Sequence, residues 1–166
     1  ADDRSMAIEA PISKFKKNNL KISIALCLAM AIIFAYDGYL SKYKWSKRYS
    51  FYKEQVLDND GEPTPTMNFN RKSPPFFVGA AVFIGAYLFA IKSKKLIADE
   101  NELVFSDRNK IPYDSIERIN KTYFEKKGIC IITYKDESGK EIDRKLSDRT
   151  YDNLGAILDH LVAQIS

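Results

Sequence analysis

Residues Pro75-Phe-Phe-Val-Gly-Ala-Ala-Val-Phe-Ile-Gly-Ala-Tyr-Leu-Phe-Ala-Ile91 run without a charged side chain. This apolar stretch begins at Pro74, and an earlier one, the first in the chain, runs from Leu20 to Leu40 with an uncharged core from Ile22 to Tyr36 and Lys21 and Asp37 at its ends. A bilayer core of about 30 Å is crossed by about 20 helical residues. Both stretches reach that length once terminal lysines snorkel and tyrosines settle at the interface. A buried helix of a soluble protein can imitate one such run. Two in a chain of 166 residues point to a transmembrane hairpin.

The mean hydropathy of the whole chain is −0.32, so the residues outside the hairpin are water-facing. They leave room for one small soluble domain. Residues 1–93 hold 13 Lys/Arg and 8 Asp/Glu, a balance of +5, whereas residues 94–166 hold 13 and 14, a balance of −1. The positive excess therefore lies beside the membrane segments, where anionic headgroups attract it. The neutral soluble part argues against nucleic-acid binding. Cys27 falls inside the first apolar run and Cys130 in a strand-like one, so a disulfide between them is not expected. Lys14, Lys16, Lys17 and Lys21 precede an apolar run, as in a signal peptide. The run is long for a signal and has no clear small-x-small cleavage site after it, so an uncleaved anchor is expected.

Small residues recur at helical spacing in both apolar runs. Ala25 and Ala29, then Cys27, Ala31 and Ala35, mark the first; Ala81 with Gly85, and Ala86 with Ala90, mark the second. Such spacing lets helix backbones approach closely, and it nominates these residues for packing within the hairpin or against a partner. Between the runs, residues 41–57 interleave aromatic and basic side chains. Trp45, Tyr49, Tyr52 and Val56 fall on one helical stripe, which predicts a juxtamembrane helix. Lys42, Lys44, Lys47, Arg48 and Lys53, with Trp45 and Tyr49, form a candidate membrane-interface or lipid-binding set. Gly61, Pro63 and Pro65 then break the helix, so residues 58–74 are expected to be an extended polar loop.

From Lys94 the periodicity changes to two. Strand signals fall at 96–98, 101–106, 110–113, 116–124, 128–134 and 141–146, with a hairpin turn over Asp136–Gly139. Pro112 marks an edge or a strand start. Ser147 or Asp148 is expected to cap a closing helix whose apolar face is Tyr151, Leu154, Ile157, Leu158, Leu161 and Ile165. The predicted fold is an α+β membrane protein. It comprises a polar N-terminal tail (1–19), loosely ordered to residue 12; a transmembrane hairpin (20–91); and a soluble antiparallel β-domain (94–166) of about six strands closed by an amphipathic helix.

Glu102-Leu-Val-Phe105, Lys110-Ile-Pro-Tyr-Asp-Ser-Ile116 and Gly128-Ile-Cys-Ile-Ile-Thr-Tyr134, followed by the final helix, resemble the bacterial pleckstrin-homology-like domain. An Ile-Pro-aromatic-x-x-Ile element recurs in that family, and one or two membrane helices often precede the domain. The resemblance covers residues 95–165 and implies seven strands, the seventh hidden in 118–127 or absent. It carries no catalytic residue to this chain. Lipid-headgroup binding is not general among the bacterial members.

The residues offer no chemical signature. His160 is the sole histidine and is expected on the polar side of the closing helix. No phosphate-binding glycine loop, nucleophile elbow or metal-ligand spacing is present, so no catalytic residue, cofactor, metal or small-molecule substrate is expected. The reading favoured is a non-enzymatic, membrane-anchored accessory or scaffold subunit whose partners are the lipid bilayer and other membrane subunits or further copies of itself. One alternative is an anionic-lipid surface module built on residues 42–53. Another is a small subunit of a redox or transport complex in which Asp37, an acid at the bilayer edge, serves a charge pathway. Seven basic residues flank the terminal side (Lys14, Lys16, Lys17, Lys21, Lys92, Lys94, Lys95) and seven the connecting side (Lys42, Lys44, Lys47, Arg48, Lys53, Arg71, Lys72). Charge alone thus leaves the orientation open. The early lysines and the family resemblance place both termini in the cytoplasm, with the chain in a bacterial cytoplasmic membrane.

Overall fold

The computed structural model describes residues 7–166, which fall into two compact units. One is made of residues 19–88; the other combines 89–166 with the described residues before 19.

The second unit starts upstream of the hairpin. Ile8–Pro11 (β1) pairs antiparallel with Lys95–Ala98 (β2), Ala10 opposite Leu96 and Pro11 opposite Lys95. Glu102–Val104 (β3) and Lys110–Pro112 (β4) complete a four-stranded sheet in the order β1-β2-β3-β4. β4 is an edge strand, where the missing N–H of Pro112 leaves no ladder bond unmade. One helical turn, Tyr113–Ser115, then carries the chain into a second antiparallel sheet. That sheet runs in the order Ile116–Asn120 (β5), Ile129–Lys135 (β6), Glu141–Ser147 (β7). The β6–β7 turn has Gly139 at φ +80°, while the Asp136 carboxylate accepts from the backbone N–H groups of Ser138 and Lys140. The hydrogen bond from the Ser138 hydroxyl, helped by those from the Lys140 and Ser138 N–H groups, holds the Asp136 carboxyl below its ordinary range.

The core of this unit sits between the sheets and Leu154–Ile165 (α6). Leu154, Ile157, Leu158 and Leu161 recur at helical spacing and are buried against Leu96, Leu103, Ile111, Cys130, Ile132 and Leu146. Burying each such side chain contributes roughly 1.5–3 kcal/mol. Tyr113 joins the core with its hydroxyl donating to the Asp99 carbonyl, and burial, reinforced by Asp99 and Glu102, pushes its pKa up to about 12.

Several sequence expectations are corrected here. Residues 7–12 are not a loose tail: Ile8–Pro11 is a strand, and Ile12 forms a bridge to Tyr151. Residues 1–6 of the expected tail lie outside the described residues. The seventh strand is β1 and is not hidden in 118–127, where β5 stops at Asn120 and Phe124–Lys127 (α5) forms one helical turn ended by Gly128 at φ +66°. Neither Ser147 nor Asp148 caps α6. Ser147 ends β7, and residues 148–153 instead hold β1: Asp152 N–H donates to the Pro11 carbonyl, and Asn153 Nδ2 to that of Glu9. Tyr151 precedes α6, and Ile165 is exposed. His160 is half-buried, with its ring against Tyr113 at a centroid distance of 6.0 Å.

The unit of residues 19–88 contains most of two long helices, Lys14–Ala35 (α1) and Pro74–Ile91 (α4). α1 continues through a π-helical turn, Tyr36–Leu40. Tyr49–Tyr52 (α2) runs into a second π-helical turn, Lys53–Leu57, and Pro65–Lys72 (α3) leads into α4. With their flanking turns, two helical stretches of 27 residues, Lys14–Leu40 and Pro65–Ile91, are long and apolar enough to cross a membrane.

Two expectations for 41–74 also change. The continuous helix over 41–57 is absent: residues 41–48 form successive turns, and helix begins at Tyr49. The extended loop over 58–74 is interrupted by α3. Thr64 caps that helix, its side chain accepting from Met67 N–H, and Pro65 supplies the preset φ of a first helical position.

Candidate functional site: the folded connection between the long helices

Residues 36–73 form a compact structure around the π-helical turn. A π-turn widens the helix by one residue and often marks a functional site. Here it presents Asp37 and Gly38 to the returning chain. The Asp37 carboxylate accepts two hydrogen bonds from Arg48, at 2.9 Å from Nε and 3.1 Å from Nη2. Planar fork-to-carboxylate pairing fixes orientation as well as distance. The Asp37 hydrogen bond holds the Arg48 pKa above its ordinary value.

Gly38 is buried because α3 crosses it. A Cβ at this position would lie 2.9 Å from the Asn70 carbonyl oxygen and 3.0 Å from its carbon. Arg71 Nε donates to the Gly38 carbonyl at 3.0 Å, and Tyr39 Oη donates back to the Arg71 carbonyl at 2.7 Å. The buried hydroxyl of Ser46 donates to Tyr36 Oη at 3.0 Å and accepts from Arg48 N–H at 3.1 Å. The Phe34 ring meets Phe69 edge-on at 5.4 Å and stacks on Phe77 at 5.5 Å. Met67 and Val56 fill the interior.

This arrangement sorts the candidate interface residues. Lys42, Lys44, Trp45, Lys47 and Lys53 are exposed, and Trp45, 68% exposed, stacks on Tyr43 with ring centroids 5.5 Å apart. Arg48 is committed to Asp37, and Tyr49 is half-buried beside Tyr52. Asp37, the acid nominated for a charge pathway, is in a closed ion pair with 14% of its side chain exposed. Among the helix-packing candidates, Ala31 and Ala81 are buried, and Ala35 and Gly85 are half-buried. A Cβ on Gly85 would meet Ile24 Cδ1 at 3.9 Å. Ala25, Ala29, Ala86 and Ala90 are exposed, on faces not covered by the paired helix.

Sequence reasoning missed Ser46, Asn70 and Arg71. The Thr64-Pro65 pair was a readable signal for α3; the closure of Arg71 onto Gly38 spans 33 residues and has no local signature. Among the described residues, no group of three or more His, Cys, Asp or Glu side chains is placed to hold a metal ion. Comparison with protein-family models, curated proteins and solved structures gave no match.

Proposed function

We propose that the chain is a non-enzymatic, membrane-anchored accessory or scaffold subunit: a pleckstrin-homology-like domain split by a transmembrane hairpin. The observation that carries this reading is the exposure of the long helices. Only 6% of the apolar window in the first and 11% in the second is buried within the protein. A core helix of a soluble domain would be mostly buried. Left in water, this surface would far exceed the apolar patch of a soluble monomer; in a bilayer it is solvated by acyl chains. A cleaved signal does not fit the first helix, because cleavage would remove β1 from its sheet.

The pleckstrin-homology-like reading draws support from the four-plus-three strand arrangement and the closing helix. Two crossings return the chain to its starting side, as the β1–β2 pairing requires. The early lysines favour the cytoplasm for that side. Exposed small residues at Ala25, Ala29, Ala86 and Ala90 supply close-approach faces for partner helices. The exposed Tyr43–Trp45 stack with Lys42, Lys44 and Lys47 favours a second reading, in which the connection binds anionic headgroups.

Purification of the full chain from native membranes in mild detergent separates the two. The scaffold reading expects stoichiometric membrane-protein partners. The lipid reading expects the chain alone with anionic lipid, whose retention is lost when Lys42, Lys44 and Lys47 are changed to Gln. A monomer with neither would sink both.

A further inference from the structure

Residues 94–166 carry 13 Lys/Arg against 14 Asp/Glu, yet five of those basic side chains line one concavity of about 600 Å³. Lys126 and Lys127 come from α5, Arg144 and Lys145 from β7, and Arg149 from the turn before α6. β7 is the outer strand of its sheet, and successive residues of a strand point to opposite faces, so the concavity wraps a free sheet edge.

Elsewhere in this unit several basic side chains are ion-paired, as in Lys95–Glu9, Lys110–Glu102 and Lys135–Glu117. In the concavity, Lys126, Lys127, Lys145 and Arg149 have no carboxylate within ion-pair distance among the described residues. Arg144 meets Asp107 at 3.7 Å and lies over the Phe105 ring, 3.7 Å from its centroid. Lys127 sits over Tyr123 at 5.2 Å and Arg149 over Phe15 at 5.7 Å. Stacking on a ring holds a cation in place without neutralising it. Among the described residues no Asp or Glu lines the concavity, and Asp107 is the carboxylate that meets Arg144.

The geometry points to a binding site for a phosphate monoester dianion in this groove. Five lining cations, one of them met by Asp107, leave an excess that a doubly charged ligand compensates better than a carboxylate does. Arginine forks match the oxygens of a phosphate, and the lysines add point charges around it. A phospholipid headgroup and a soluble phosphate compound share this chemistry. The inference goes beyond the scaffold reading and needs membrane insertion only if the source is lipid.

The test uses the full chain, ¹⁵N-labelled, in phosphatidylcholine nanodiscs. Amide signals are followed as inorganic phosphate is added at constant ionic strength, and again in nanodiscs containing phosphatidic acid. Saturable shifts confined to residues 126–129 and 144–151 are expected. Saturation by inorganic phosphate identifies a soluble source as sufficient; shifts only with phosphatidic acid identify the headgroup. In the triple variant Lys126→Gln, Lys145→Gln, Arg149→Gln, with unchanged signals elsewhere, the response should weaken at least tenfold. All three positions are exposed, so folding is retained. No localised shift in either arm, or an undiminished response in the triple variant, would overturn the assignment. The phosphate arm is indifferent to the membrane and scaffold readings, so their failure would be recognised separately.

Discussion

Ala10→Asp is expected to unfold the β-unit while leaving the long helices formed. Ala10 is fully buried in β1, opposite Leu96, and belongs to the same core as Cys130 and α6. A carboxylate there would be buried without a partner, at a cost of several kcal/mol. A core this small has about 5–15 kcal/mol in total to lose, at the lower end for its size. Cys130 reports the outcome in a Cys27→Ala background. It is fully buried, and that burial pushes its thiol up to about 11 from an ordinary 9.0. In the folded unit it should resist a maleimide at pH 8; in Ala10→Asp it should react at the rate of an unfolded peptide. Glu9→Gln, at an exposed position of the same strand, should behave as wild type. The raised thiol pKa also fixes a sign: its stabilising effect is full below about pH 9 and is lost as pH rises through about 11. An inert Cys130 in Ala10→Asp would mean that β1 is dispensable to the domain.

Gly38→Val should open the connection between the long helices without disturbing the β-unit. The obstacle to a side chain at Gly38 is the Asn70 backbone, at 2.9 Å, which cannot rotate aside. Overpacking of this kind costs about 1–3 kcal/mol. Moving α3 away also breaks the Arg71–Gly38 and Tyr39–Arg71 hydrogen bonds, each worth about 1 kcal/mol or more. Trypsin cleavage at Lys42, Lys44 and Lys47 should accelerate at least tenfold, while Cys130 remains protected. Cleavage at the wild-type rate would show that the contact with α3 does not hold the connection closed.

What was legible in the sequence follows from how far apart the interacting residues lie. The apolar run over 74–91 became α4 with those bounds, because composition alone sets a helix of that kind. The Asp136–Gly139 turn and the β-branched run of β6 were equally local. β1 was not legible. Ile8-Glu-Ala-Pro is four residues long, and its partner Lys95–Ala98 lies beyond the entire hairpin. A short strand has no pattern strong enough to announce such a pairing. The stripe Trp45, Tyr49, Tyr52, Val56 misled for a related reason. Periodicity cannot reveal that Ser46 bonds Tyr36 and that Arg48 turns back to Asp37, which ends any regular helix through that segment. The small-residue positions were visible, but which of them meet the paired helix depends on the rotation of each helix about its axis.

In the proposed reading, a β-domain is assembled from both flanks of a hairpin that crosses a membrane twice. Single cysteines at Glu9, Lys44 and Ser138, each in a Cys27→Ala, Cys130→Ala background, test it in intact cells with an impermeant thiol reagent. All three positions are exposed on the protein. The predicted result is labelling of Lys44→Cys in intact cells, with Glu9→Cys and Ser138→Cys labelled only after lysis. The reverse pattern would keep the double crossing and invert its orientation. Labelling of Lys44→Cys under the same condition as the other two would contradict the hairpin itself.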